Sequence, residues 1–332
     1  METTREAAST VDPTKSRYVK SYAVRRAYRE DVQHPPAVPA VQGAIDLHCH
    51  AHEGQQDALD LAKHASRNGV GGLLYKTIVG GQRPAESLRR LRDALNRWCE
   101  AEDVAPMQSW VGWGVARGGV PISLESTRAQ LDDGVDAIWM PVANSINTLT
   151  KVGVGSQGPM PEEEARKIGY TVVDEHGRLQ TEVRDIIHLA ADRGKALFFG
   201  HASHPEIWAM AEEVDKLRFD RAVIDHPFSP FIDLTVDEMQ QLAAIGITLN
   251  FTYDELSPLL GVDPARMYDA IRTVGPEHFS LSSDAGEPLF PNSVECLRLI
   301  RGYMRAFGLT DAEVHQVSVA NPARVLGATV PG

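Results

Sequence analysis

The chain has 332 residues, 43% hydrophobic and 23% charged, which is ordinary for a globular protein with ample material for a core. Its net charge of −12, from 33 basic and 45 acidic residues, argues against general binding to nucleic acid or an anionic membrane. Three cysteines far apart (Cys49, Cys99, Cys296), in no CxxC pattern, exclude a disulfide framework and a thiolate zinc site.

No window approaches the ~18 apolar residues of a membrane span, and no signal-peptide core opens the chain, so a cytoplasmic protein is expected. Residues 1–42 read as a separate arm. Lys15, Arg17, Lys20, Arg25, Arg26 and Arg29 make it basic, and Pro35, Pro36 and Pro39 close it as a stiff linker. Such an arm is expected to lie on the acidic body or on a neighbouring subunit, which points to a homo-oligomer.

From residue 43 the apolar pattern alternates between strand and helix. Strands are expected at 43–48, 70–76, 108–115, 136–142, 195–200, 221–225, 247–251 and 279–283. Between them lie amphipathic runs, such as Leu88, Leu91, Leu95 and Trp98 at helical spacing. Asp263 before Pro264 marks a helix start, and Gly134, Gly194 and Gly246 mark helix ends. One stretch breaks the rhythm. Residues 144–180 hold Gly153, Gly155, Gly158, Pro159 and Pro161 and read as an irregular lid. Alternating strands and helices imply parallel pairing, and eight strands favour a closed barrel. The expected fold class is therefore α/β: a (β/α)8 TIM barrel over 43–332, with an N-terminal arm and a long insertion after strand 4. No G-x-G-x-x-G follows the first strand, which counts against a dinucleotide fold.

Unusual polar residues fall at one end of these strands. His48 and His50 end strand one, and on a strand residues i and i+2 share a face. Lys76 ends strand two, His201 strand five, His226 strand six and Asp284 strand eight. A barrel keeps its catalytic groups at this end, and neutral imidazole is a common metal ligand.

In order, Asp46-Leu47-His48-Cys49-His50, His201 in Gly-His-Ala-Ser-His, His226 in Asp-His-Pro and Asp284 in Ser-Ser-Asp-Ala-Gly resemble the amidohydrolase superfamily of metal-dependent hydrolases. Asn321-Pro322-Ala323-Arg324-Val325-Leu326-Gly327 looks like the closing helix of many members. The resemblance implies a divalent metal, Zn2+ first and Mn2+ as the alternative, with one or two ions. By it, His48, His50, His201, His226 and Asp284 map onto ligand positions, and Asp284 accepts the proton of the attacking water. Members with two ions usually take a bridging lysine or glutamate from strand four. Here strand four ends in Met140-Pro141-Val142-Ala143-Asn144, and the lysine is on strand two. Three roles for Lys76 stay open: a carbamylated metal bridge, an ammonium that holds a substrate anion or an oxyanion, and a structural lysine paired with a carboxylate.

The expected activity is hydrolysis of an amide, lactam, ester or lactone of a small molecule. Asp284, Lys76 and His226 are the catalytic candidates, and Lys76, His204 and Tyr253 the substrate-binding ones. His204 also reads as a helix cap. His52 reads as a loop or mouth residue, Glu287 as a support for the ligands and Asp225 as structural, facing away from His226. His64, His176, His188, His278 and His315 read as surface residues, and Trp110, Trp113, Trp139 and Phe251 as packing. Three rivals remain: a single-metal decarboxylase of the same superfamily, a non-catalytic barrel used in binding or assembly, and, ranked lower, a phosphoesterase of the histidinol-phosphatase type, which also uses His-x-His but usually needs further His and Glu ligands that have no place here. Neither a nucleic acid nor a membrane is expected as partner.

Overall fold

Short runs of β-branched and aromatic residues, each cut off by a helix signal, set the architecture. The structure, a computed structural model, describes residues 41–51, 56–78, 83–116, 120–153, 158–286 and 289–329. The arm with its basic residues and prolines, His52 and Glu287 lie outside these residues. The strands are β1 Ile45–Ala51, β2 Gly72–Ile78, β3 Gln108–Gly114, β4 Ala137–Trp139, β5 Ala196–Phe198, β6 Ala222–Asp225, β7 Thr248–Thr252 and β8 Phe279–Ser282. They pair in parallel and in sequence order. The backbone N–H of Asp284 donates to His48 O (2.8 Å) and that of His50 to Ala285 O (2.9 Å), so the last strand closes onto the first. The expected (β/α)8 TIM barrel is the observed fold.

The helices between strands start where side chains can cap them. Asp57 caps Ala58–Arg67, Thr235 with Glu238 forms a capping box on Val236–Ile245, and Asp263 caps Pro264–Val274. Gly134 and Gly246 end their helices in the left-handed region. Among the described residues, no helix is long and apolar enough to cross a membrane.

Alternation along the strands makes two apolar layers. Ile45, Leu47, Leu74, Ala137, Trp139, Phe198 and Val223 fill the barrel, joined by Ala323 and Val325 of the closing helix Asn321–Leu326. That helix is locked beneath the strands. Asn321 Nδ2 donates to Phe279 O (2.6 Å) and Pro276 O (2.8 Å), and Arg324 Nη2 to Thr248 Oγ1 (3.0 Å). Leu73, Tyr75, Ile138, Leu197 and Phe251 point the other way, into the shell between strands and helices. Cys49 is in this shell, as expected of a small apolar filler, and all three cysteines are buried and free.

The described part of the insertion after β4 is not irregular. It forms the helices Ile146–Lys151 and Glu162–Ile168. Asn147, Thr148, Leu149, Ala165 and Val172 are buried. The Glu206 carboxylate accepts from Thr171 Oγ1 (2.7 Å) and Val172 N (3.0 Å), which fastens the segment to the helix His204–Leu217. Small polar residues that bond to backbone give this segment a buried face that its glycines and prolines conceal.

Candidate metal centre

The two histidines of β1 reach the barrel interior through a break in the strand. Ile45 and Leu47 point inward, so strict alternation would send His48 outward. The pairing shifts instead. Asp46 faces Leu73 and Cys49 faces Tyr75, which leaves an extra residue on β1 between them. The Asp46 carboxylate holds this bulge by accepting from His48 N (3.0 Å) and Ser283 N (3.0 Å), and its other oxygen accepts from Ser293 Oγ (2.6 Å). His48 thus turns inward and is fully buried. Cys49 and His50 then resume the alternation. β2 restores the register at once, with Lys76 as its own extra residue. A Cβ on Gly286 would lie 2.8 Å from His50 Cβ, so glycine there lets the β8 loop close over this histidine.

Two carboxylates flank His48. Nδ1 lies 3.1 Å from Asp225 Oδ2 and Nε2 3.0 Å from Asp284 Oδ1, though neither contact has hydrogen-bond alignment. Burial disfavours the imidazolium, but the charges of Asp225 and Asp284 outweigh it and hold His48 up to about 9. His50 Nε2 meets the same Asp284 oxygen at 3.1 Å, yet burial prevails there and holds its ring down to about 4. Asp284 stays well below the usual carboxylate range against the effect of burial, because His48, His50 and Lys76 surround it. Asp284 and His226 both have left-handed backbones, with φ of 47° and 37°. Asp and His tolerate this region better than most residues.

His226 shows what that turn does. Asp225 ends β6 on the inward face shared with Val223, and the left-handed step swings His226 into the mouth as well. Its Nε2 is 4.0 Å from Asp284 Oδ2. Both ring nitrogens are buried without a hydrogen-bond partner among the described residues, and burial holds the ring down to about 4. His201 follows Gly200, whose φ is +62° and whose added Cβ would lie 2.4 Å from Met140 O. Its ring centroid is 4.9 Å from that of His226, and Phe231 packs on both rings. The Lys76 ammonium is 5.9 Å from the centre of the Trp139 ring. Burial lowers its pKa, opposed by Asp284, Asp225 and Asp254.

Four expected candidates, His48, His50, His226 and Asp284, therefore meet with Asp225 in two overlapping clusters (His48, Asp225 and His226; His48, His50 and Asp284), with donor atoms within 4.8 Å in each. His201 borders them through His226, and Lys76 through its charge. Asp225 was expected to face away, and this is corrected. It points inward and accepts from Trp139 Nε1 (2.8 Å) and Asn250 Nδ2 (2.8 Å) besides facing His48. Burial pushes its pKa up, but His48 above all, with His226 and Lys76, outweighs that and draws it down to about 2. Counting on by two from the inward Val223 would have found it. Trp139 is packing, as expected, since it stacks on Phe198 at 4.0 Å, but it is also a donor to the site. A Cβ on Gly112 would lie 2.1 Å from its ring, so β3 gives way to make room for it.

The other expectations fare differently. His204 is the first residue of its helix, and the capping box belongs to Ser203 and Glu206. Its Nδ1 bonds Glu238 (2.9 Å) and its Nε2 bonds Ile232 O (2.6 Å), which leaves neither nitrogen for a substrate. Tyr253 stands against Phe290, ring centres 6.4 Å apart, beside the outer shell. Phe251 is packing, stacked between Phe228 and Phe279. His176 and His315 are exposed, but His64 has a buried Nε2 and is not a plain surface residue.

Solved structures share this architecture at low identity. An amidohydrolase from Pseudomonas aeruginosa matches with a TM-score of 0.55 and 12% identity, over 86% of this chain and 96% of that one. YJJV, a TatD homologue from Escherichia coli K12, matches at 0.53 and 15%, over 87% and 100%. A dihydroorotase matches at 0.52 and 15%, over 88% and 72%. These neighbours are amidohydrolase-superfamily members, so the resemblance read in the sequence holds at the level of the fold. No curated protein matches the chain. The model of a family of unknown function, DUF6282, matches residues 43–250, which is most of the barrel and more than half of the sequence. The chain belongs to that family.

Proposed function

We propose that this protein is a divalent-metal-dependent hydrolase of the amidohydrolase type, acting on an amide, lactam, ester or lactone of a small molecule. One observation carries the proposal. His226 is buried, neutral and, among the described residues, without a hydrogen-bond partner for either ring nitrogen. Such a group is expensive to bury unless something binds it. A cation that takes a neutral imidazole and neighbouring carboxylates answers that requirement, and the nitrogen and oxygen donors suit Zn2+ or Mn2+. His48, His50, His201, His226 and Asp284 would hold it, with Asp225 behind His48. When bound, the ion supplies Lewis acidity and an acidified water.

The remaining chemistry belongs to the chain. Asp284, kept ionised by its neighbours, accepts the proton of the attacking water at a carboxylate oxygen and returns it to the leaving group. Lys76 stays an ammonium and offsets negative charge on the substrate or its oxyanion. His226 fixes the far side of the site, and Phe231 shields it from water. On β4 the inward position is taken by Trp139 rather than by a ligand, which favours a single ion and keeps the decarboxylase as the second reading.

The test is elemental analysis of protein purified without chelator, for wild type, His226→Ala and Lys76→Ala, followed by a panel of esters, lactones, amides and lactams. Metal in the wild type, lost in His226→Ala and retained in Lys76→Ala, together with turnover of one bond class, is the expected result. Loss of metal in Lys76→Ala would instead make Lys76 a carbamylated ligand. A metal-free wild type would overturn the proposal.

A further inference from the structure

The helix Ile146–Lys151, in the insertion after β4, reaches the ring of His201. Thr148 Oγ1 lies 2.8 Å from His201 Nδ1. The same hydroxyl lies 3.0 Å from Val142 O, and a carbonyl oxygen only accepts. The single Thr148 proton therefore goes to Val142 O. Were it given to His201, two oxygens would face each other at 3.0 Å with no hydrogen between them. What remains on Thr148 is a lone pair, so Nδ1 of His201 must carry the proton.

The neighbours fit this assignment. With the Thr148 proton on Val142 O, Ser145 Oγ donates to Thr148 Oγ1 (2.9 Å), and Asn147 Nδ2 spans His201 O (3.2 Å) and Phe231 O (2.8 Å). The helix thereby grips the His201 backbone, the His201 ring and the Phe231 that packs on His201 and His226. Ser145, Asn147 and Thr148 are all buried. No hydrogen bond among the described residues engages His201 Nε2.

We propose that Thr148 is a positioning residue that fixes His201 as the Nδ1–H tautomer, so that Nε2 is the nitrogen offered to a cation. The consequence for metal affinity rests on the function proposed above, while the tautomer itself does not. A segment that a sequence reader takes for a lid is, in this inference, the support of a ligand.

The experiment has two readouts on the full chain. Nitrogen NMR of the imidazoles in metal-free protein reads the tautomer. Wild type and Thr148→Ser are expected to show His201 as Nδ1–H, and Thr148→Val to lose that preference. Competition with a chelator reads Zn2+ affinity. Thr148→Val is expected to weaken it about 10- to 100-fold, as other losses of a ligand's orienting partner do, and Thr148→Ser to restore it. A wild-type His201 protonated on Nε2 overturns the inference, as does a Thr148→Val protein with wild-type tautomer and affinity. If Thr148→Val does not fold, the wild-type spectrum decides alone. A wild type that binds no Zn2+ but shows the Nδ1–H tautomer removes the hydrolase reading and upholds the tautomer.

Discussion

The lower layer of the barrel interior and the polar ring above it are built from the same strands by different rules. In the lower layer, Ile45 and Leu47, Ala137 and Trp139, Ala196 and Phe198 follow strict alternation and meet as buried apolar surface. In the ring, His48 needs a bulge, Lys76 is the extra residue that cancels it, and His226 and Asp284 sit on left-handed backbone. Regular strands make the core, and local departures from regularity aim the reactive groups. Backbone strain of this kind is held in place by surrounding structure, here by Asp46, Ser283 and the ladder hydrogen bond from His226 N to Asn250 O (2.8 Å).

That difference can be broken in order of expected size. Asp284→Asn removes the proton acceptor and should lower kcat about 10²- to 10⁴-fold on whichever substrate is turned over, with little change in urea midpoint. Leu74→Ala in the lower layer should do the reverse, costing about 2–5 kcal/mol of stability in urea titrations. Comparable stability losses in the two variants would erase the distinction between layers. Trp139→Phe bridges them. It keeps most of the ring but takes the indole donor from Asp225 Oδ2, leaving Asn250 on the other oxygen, and should cost about 1–3 kcal/mol. A neutral outcome would mean that Asp225 does not depend on the tryptophan.

The smallest effect is in pH dependence. In metal-free protein His48 is raised to about 9, so its contribution is complete below the unfolded value of about 6.5 and is lost as pH climbs toward 9. His50 and His226 are lowered to about 4, so folding disfavours their protonation and stability falls as pH drops from about 6.5 to about 4. Melting temperature in chelator should therefore peak near pH 6.5, roughly where the two limbs meet. Saturating Zn2+ should flatten the alkaline limb. A monotonic profile would contradict the charges assigned to His48.

The sequence reader sees the lower layer far better than the ring. Periodicity is a property of regular backbone, so all the strands could be placed, and His48, His50, His201, His226 and Asp284 stood out as polar groups at the ends of apolar runs. Asp225 was missed by the same rule. Of two adjacent polar residues only one was allowed to face inward, whereas a left-handed residue lets both do so. The docking of residues 144–153 and 158–180 was equally hidden. Its anchors, Ser145, Asn147 and Thr148, are small polar side chains that bond to backbone, and no hydrophobic period announces them. The closing helix was legible as a motif, but its task of sealing the barrel shows only when Asn321 and Arg324 find their backbone and side-chain acceptors.

The Asp46 side chain has a consequence for how the protein comes into being. It ties the first strand to the residue after the last one, and to the helix that follows. A chain emerging from the ribosome carries His48 and His50 more than 200 residues before Asp284 and Ser293 arrive. Until they do, the bulge that turns His48 inward lacks its ties to Ser283 and Ser293, and the Asp284 carboxylate does not stand opposite it. The reactive cluster is in this sense a seal on a finished product: an interrupted chain has the histidines but not the arrangement.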